Sequence, residues 1–159
     1  MKYFLTCSLF FLLTACSSTR QATKKQVTDF TELKKMVNEK NFDFVAERLL
    51  PATGIPSYIT GFYDVRVNQD SLLVHLPYKG QAYMPPVDPS QSPLNFQSTS
   101  FDYSFTESND KLNISIKPKD KQNVLQLLFV IFNNGSATLN INSSDRQSIS
   151  FTGYISSSQ

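Results

Sequence analysis

The chain has 159 residues, with 15 lysines and arginines against 13 aspartates and glutamates, a formal net charge of +2. A balance this close to neutral argues against nucleic acid as a partner, which would call for a clustered basic surface. Both cysteines, Cys7 and Cys16, lie near the start, so everything after residue 16 is without a disulfide, a cysteine nucleophile or a thiolate metal site. The length suits one domain with a real hydrophobic core.

The first elements concern address. Lys2 is followed by the apolar run Leu5–Leu13, too short to span a bilayer, which takes about 20 apolar residues, and suited to the core of a signal peptide. Leu13-Thr14-Ala15-Cys16 comes next, then Ser17-Ser18. This segment resembles the lipobox of bacterial lipoproteins. The resemblance implies that residues 1–15 are a signal peptide, that cleavage falls before Cys16, and that lipid on Cys16 makes the membrane a partner through the acylated N-terminus. Two or more acyl chains make such attachment durable. Ser17 in place of an aspartate, and a tether without an acidic cluster, imply the outer membrane, facing the periplasm. Residues 16–26 are expected to be a flexible tether holding Arg20, Lys24 and Lys25 in solvent. By random-coil scaling of ~5–6 Å × √n it keeps the domain within about 20 Å of the membrane.

Residues 27–159 are expected to form a single β-rich domain. It opens with a helix over about 27–39, where Asp29 and Glu32 suit a capping box and Phe30, Leu33, Met36 and Val37 share a face. Period-two alternation then takes over: Phe42/Phe44/Ala46, Tyr63/Val65/Val67, Leu72/Val74/Leu76, Phe101/Tyr103/Phe105, Leu112/Ile114/Ile116, Ala137/Leu139/Ile141 and Ile149/Phe151. Polar partners between them mark strands with one wet face. The expected fold is mainly β: an N-terminal helix followed by eight or nine antiparallel strands built of hairpins, as a barrel or a two-layer sandwich.

Turn chemistry sets the expected registers. A tight turn at Gln69-Asp70 puts Val67 against Leu72 and Val65 against Val74. A loop at Ser144-Asp145-Arg146 puts Ile141 against Ile149 and Leu139 against Phe151. A four-residue loop Glu107–Asp110 would set Phe105 against Leu112. Asn134-Gly135, read as a two-residue hairpin turn, would set Phe132 against Ala137 and Val130 against Leu139. Under that register Leu127, Phe129 and Ile131 fall on a second apolar face, which the helix stripe is expected to cover. The proline-rich residues 84–99 cannot make a central strand and read as a loop.

Chemistry is sparse. His75, the one histidine, falls on the wetter face of its strand with no acidic neighbour at a useful spacing, and reads as a surface residue. No cluster has metal-ligand spacing, no carboxylate pair is set for acid–base work, and no nucleophile elbow or phosphate loop appears. The expectation is a non-enzyme without cofactor or metal. Arg146, beside Asp145, is expected to stabilise its turn. Tyr78, Lys79, Gln81 and Tyr83, ahead of the proline-rich loop, have the mix of aromatic and polar groups that a cleft uses. They are the candidate site, for a small-molecule or peptide ligand. The alternative is a scaffold lipoprotein working through a sheet edge or an apolar patch, with its protein partner unknown.

From about residue 27 onward the chain resembles a family of small Bacteroidetes lipoproteins classified only as a domain of unknown function. The resemblance rests on Asn41–Ala46, on Leu76-Pro77-Tyr78-Lys79-Gly80-Gln81-Ala82-Tyr83, and on Asn134-Gly135 through Arg146–Gly153. The chain departs from the family pattern at Lys79 and Gln81 and in the prolines that follow. The resemblance implies one domain in the cell envelope and brings no activity.

Overall fold

The computed structural model describes residues 24–84 and 92–158; Cys16 and the signal peptide lie outside the described residues. The described residues form α1 (Phe30–Asn38) and ten strands: β1 (Phe42–Pro51), β2 (Ser57–Tyr58), β3 (Asp64–Val67), β4 (Leu72–His75), β5 (Asn95–Ser98), β6 (Phe101–Ser108), β7 (Lys111–Pro118), β8 (Val124–Phe132), β9 (Ser136–Ser143) and β10 (Ile149–Ser156).

The helix begins where its chemistry allows. Asp29 is the N-cap, and its carboxylate accepts from the Thr31 amide at 2.8 Å, satisfying a donor that no helical carbonyl can reach. At the other end Lys40 takes a positive φ of 51°, and Asn41 and Lys40 donate to the carbonyls of Met36 and Val37. That is the Schellman stop, with lysine in the place usually held by glycine.

Nine strands follow one antiparallel path, β5-β4-β3-β1-β10-β9-β8-β7-β6, and β2 pairs with β1 off that path. Eight antiparallel steps leave β5 and β6 running in the same direction, with only Thr99 and Ser100 between them. One bent stretch therefore carries both ends of the sheet, pairing with β4 before the bend and with β7 after it. The β7–β8 loop pins the bend. Asp120 accepts from Ser98 Oγ at 2.5 Å and from the Thr99 amide at 3.1 Å, and the Lys119 amide donates to the Ser100 carbonyl. The hydrogen bond from Ser98 is the main reason the Asp120 carboxyl titrates below its ordinary range. The result is a nearly closed barrel in which few strand edges are left open. Asn95–Ser98, expected to be loop, is thus a short edge strand, which the prolines before it permit.

Inside, Phe42, Phe44, Phe129 and Phe151 are fully buried. The Phe129 ring meets Phe42 and Phe44 edge-on, at centroid distances of 5.9 and 5.8 Å. Leu33 and Val37 of α1 join the same core, each adding roughly 1.5–3 kcal/mol of burial. Tyr103 of β6 donates its hydroxyl to the Val37 carbonyl at 2.8 Å, and Lys34 pairs with Glu107. The helix is thereby fixed along β6.

Two expected registers hold: Val67↔Leu72 and Val65↔Val74, and Ile141↔Ile149 and Leu139↔Phe151. Two change. The β6–β7 turn contains only Asn109 and Asp110, so Phe105 faces Ile114 in place of Leu112. The β8–β9 turn holds three residues, Asn133–Gly135, with Gly135 at φ 81° and its amide donating to the Phe132 carbonyl. Phe129 therefore faces Leu139, and Ile131 faces Ala137. This one-residue shift puts Leu127, Phe129 and Ile131 into the core. Leu128 and Val130 are left half-buried on the outer face, where they line an open groove with Ser104, Thr106, Asn113 and Ser115. There is no second inner face for the helix to cover.

Candidate functional site

The candidate segment is fastened to the β9–β10 loop. Ala82 and Arg146 form an isolated antiparallel bridge. The Tyr83 amide donates to the Asp145 carbonyl at 2.7 Å, the Gln147 amide to the Gln81 carbonyl at 3.0 Å, and the Gln81 amide to the Gln147 side chain at 3.3 Å. Beneath this strap Arg146 holds Asp145 in a fork, Nε–Oδ1 at 2.9 Å and a terminal nitrogen to Oδ2 at 2.5 Å, with both residues buried. The fork is the first cause of an Asp145 carboxyl held below the ordinary range.

Tyr78 belongs to the same assembly. Its ring lies 5.2 Å from the Arg146 guanidinium, and its hydroxyl is 3.1 Å from the carbonyls of both Gln81 and Gln147. Burial pushes its phenol up from the ordinary value. The four residues singled out by the sequence thus divide. Tyr78 faces inward and ties the strap down, while Lys79, Gln81 and Tyr83 are exposed. Tyr83 is 66% exposed and Met84 beside it 54%. The strap presents a row of side chains on a fixed backbone; the following residues, 85–91, lie outside the described residues. Arg146 stabilises its turn as expected, and His75 is exposed, its ring 5.0 Å from that of Tyr63. Among the described residues no three His, Cys, Asp or Glu side chains gather as a metal site, and no helix is long and apolar enough to cross a membrane.

A second constellation has no trace in the sequence. Lys24, expected to be solvated in the tether, is buried. Its ammonium pairs with Asp43 and lies 3.0 Å from Asp64 Oδ2, which also accepts from Arg66 Nε at 2.9 Å. Asp43 alternates with the core residues Phe42 and Phe44, so it points to the outer face of β1, where the N-terminal segment covers it. Gln26 bridges to Ser156, the Val27 amide donates to the Ile155 carbonyl, and Tyr154 donates its hydroxyl to the Lys24 carbonyl at 2.9 Å. Lys24 and Gln26, expected in the tether, are therefore packed on the barrel. Two acids and two bases are balanced here, and among the described residues one oxygen, Asp43 Oδ1, has no hydrogen-bond partner.

Beside Lys24 runs an open groove of about 380 Å³ lined by Val45, Ala46, Glu47, Arg48, Tyr58, Ile59, Gly61 and Tyr154. It lies at the β1 bulge between Ala46 and Arg48.

Fold and surface together define a nearly closed antiparallel barrel with one helix packed on its core, and the strap and the Lys24 constellation both lie on its outer surface. Residues 24–155 match the model of the family described as Domain of unknown function (DUF4251). The chain belongs to that family. It is also similar to the crystal structure of a DUF4251 family protein from Bacteroides eggerthii, with a TM-score of 0.61 and 16% identity over 83% of this chain and 89% of that one. At that identity the likeness is one of fold. No curated protein matches the chain.

Proposed function

We propose that this protein is a lipoprotein of the bacterial envelope, held by lipid on Cys16 at the periplasmic face of the outer membrane, and that its barrel is a non-enzymatic module binding a small molecule or an extended peptide segment. The observation that carries the reading is the strap: Lys79, Gln81 and Tyr83 are exposed on a backbone pinned to Asp145 and Gln147. Tyrosine on a fixed backbone supplies contact area at little entropic cost. The exposure of these side chains supports a binding surface on the outside of the barrel.

The experiment is native mass spectrometry of the protein released gently from its own membranes, together with a photo-crosslinker at position 83. A bound mass, or a crosslink at 83 lost when Lys79→Ala and Gln81→Ala are added, supports the module. A bare protein mass with no crosslink at 83 overturns it. Incorporation of labelled fatty acid in the wild type, but not in Cys16→Ser, tests the anchor separately.

A further inference from the structure

Among the described residues, half of the large apolar side chains that stand exposed fall in one short stretch: Ile55 is 81% exposed, Tyr58 79% and Phe62 39%. This is the excursion from β1 through β2 to β3, and from Leu49 to Tyr63 it carries no charged residue. It is held as a built surface. Ser57 and Tyr58 pair with Leu49 and Arg48, the Ile59 amide donates to the Glu47 carbonyl, and the Arg48 guanidinium lies 5.1 Å over the Tyr58 ring.

The N-terminal segment enters the domain against this same surface. The Lys24 ammonium lies 5.2 Å over the Phe62 ring, and Tyr154, which bonds the Lys24 carbonyl, lines the groove with Tyr58, Ile59 and Gly61. Cys16 lies eight positions before Lys24, a stretch that reaches at most ~28 Å when fully extended. A lipid on Cys16 therefore keeps this face near the bilayer. Aromatic residues beside an arginine are the side chains that settle at the headgroup level, and a contiguous exposed apolar patch marks an interaction surface.

We propose that Ile55, Tyr58 and Phe62, with Arg48 beside them, dock on the headgroup layer of the membrane that carries the anchor, fixing the orientation of the barrel above it. The occupant is a lipid surface, and the proposal rests on the reading of Cys16 as the anchor.

The chain has no tryptophan, so a single introduced one reports its own surroundings. The full lipidated protein, as Tyr58→Trp, is reconstituted into phosphatidylethanolamine–phosphatidylglycerol vesicles doped with brominated phosphatidylcholine. Thr106→Trp, exposed on β6 and five strands removed from β1 in the sheet, is the control. Tyr58 is mostly exposed, so its replacement leaves the core intact. The expected result is several-fold stronger quenching at 58 than at 106, reduced when Ile55→Asp is added. Equal quenching at both positions, or none at 58, in protein whose N-terminal peptide carries acyl chains overturns the docking and leaves the anchor standing. An unacylated Cys16 in protein taken from cells overturns the anchor and the docking with it. A photo-crosslinker at 58 that captures a protein or a second copy of the chain in intact cells, in place of lipid, also overturns the proposal.

Discussion

Lys24 and Asp43, nineteen positions apart, form a buried ion pair that fastens the N-terminal segment to the outer face of the barrel. A buried pair adds little net stability, because the desolvation of two charges offsets their attraction. Its asymmetry is what matters. Lys24→Met would remove the cation hydrogen-bonded to buried Asp43, leaving only its cross-strand neighbour Arg66 nearby, and should cost about 3 kcal/mol. Adding Asp43→Asn removes the orphaned charge and should recover most of that loss. Denaturant melts of the two single variants and the double variant give the coupling. Additive losses would show that the pair does not act as a unit.

Gly135 should be intolerant of any side chain. It sits at φ 81°, and a Cβ placed there would lie 1.8 Å from the Val27 carbonyl oxygen. The backbone conformation alone costs an L-residue ~1–2 kcal/mol, and Val27 must move as well. Gly54 also has a positive φ, 114°, but the nearest neighbour of a Cβ there would be Pro51 at 3.7 Å. Gly135→Ala should therefore lower the melting temperature clearly more than Gly54→Ala. It should also open the Lys24–Val27 segment to limited proteolysis.

That glycine explains where the sequence could be read and where it could not. The β3–β4 and β9–β10 registers were legible because apolar alternation and turn length agreed on one pairing. In β6–β7 a shift of two residues leaves every side chain on the same face, so parity could not separate Leu112 from Ile114 as the partner of Phe105. In β8–β9 the glycine that ends the three-residue turn lies against the Val27 carbonyl, from the other end of the chain. Local chemistry at Asn134-Gly135 fits both a two-residue turn and a three-residue one with glycine last. Lys24 was illegible for a similar reason. Its sequence neighbours are polar, and its partners, Asp43 and Asp64, are remote. The strap was half legible: Tyr78–Tyr83 drew notice by composition, but the separation of Tyr78 from its exposed neighbours depends on Arg146 and Gln147.

The Asp145–Arg146 fork should set part of the acid limb of stability. The Asp145 carboxyl is held below its ordinary value, first by the hydrogen bonds from Arg146. A depressed folded pKa gives stability that is present above the unfolded value of about 4 and is lost as pH falls through the lower folded one. Asp145→Asn should destabilise the protein at neutral pH and flatten the stability profile below about pH 4. The Ser98–Asp120 contact acts in the same direction, so the flattening should be partial. Melts from pH 2 to 7 test this, and an unchanged acid limb in Asp145→Asn would rule the fork out as a contributor.

Tyr103 should govern the alkaline limb in the opposite sense. Burial raises its phenol well above the ordinary value, and the neutral hydroxyl donates to the Val37 carbonyl. A raised folded pKa gives stability that is fully present below the unfolded value of about 10 and is lost as pH climbs through the folded one. Tyr103→Phe keeps the ring, so at neutral pH it should cost about 1 kcal/mol for the lost hydrogen bond. It should also loosen the last turn of α1, which hydrogen exchange at Asn38–Asn41 would register. Above pH ~10 the variant should lose stability less steeply than the wild type, so the two profiles converge. Tyr78 and Tyr154 are raised for the same first reason, burial, and keep a residual alkaline slope in the variant. Parallel profiles across that range would show that the Tyr103 phenol does not ionise before the barrel opens.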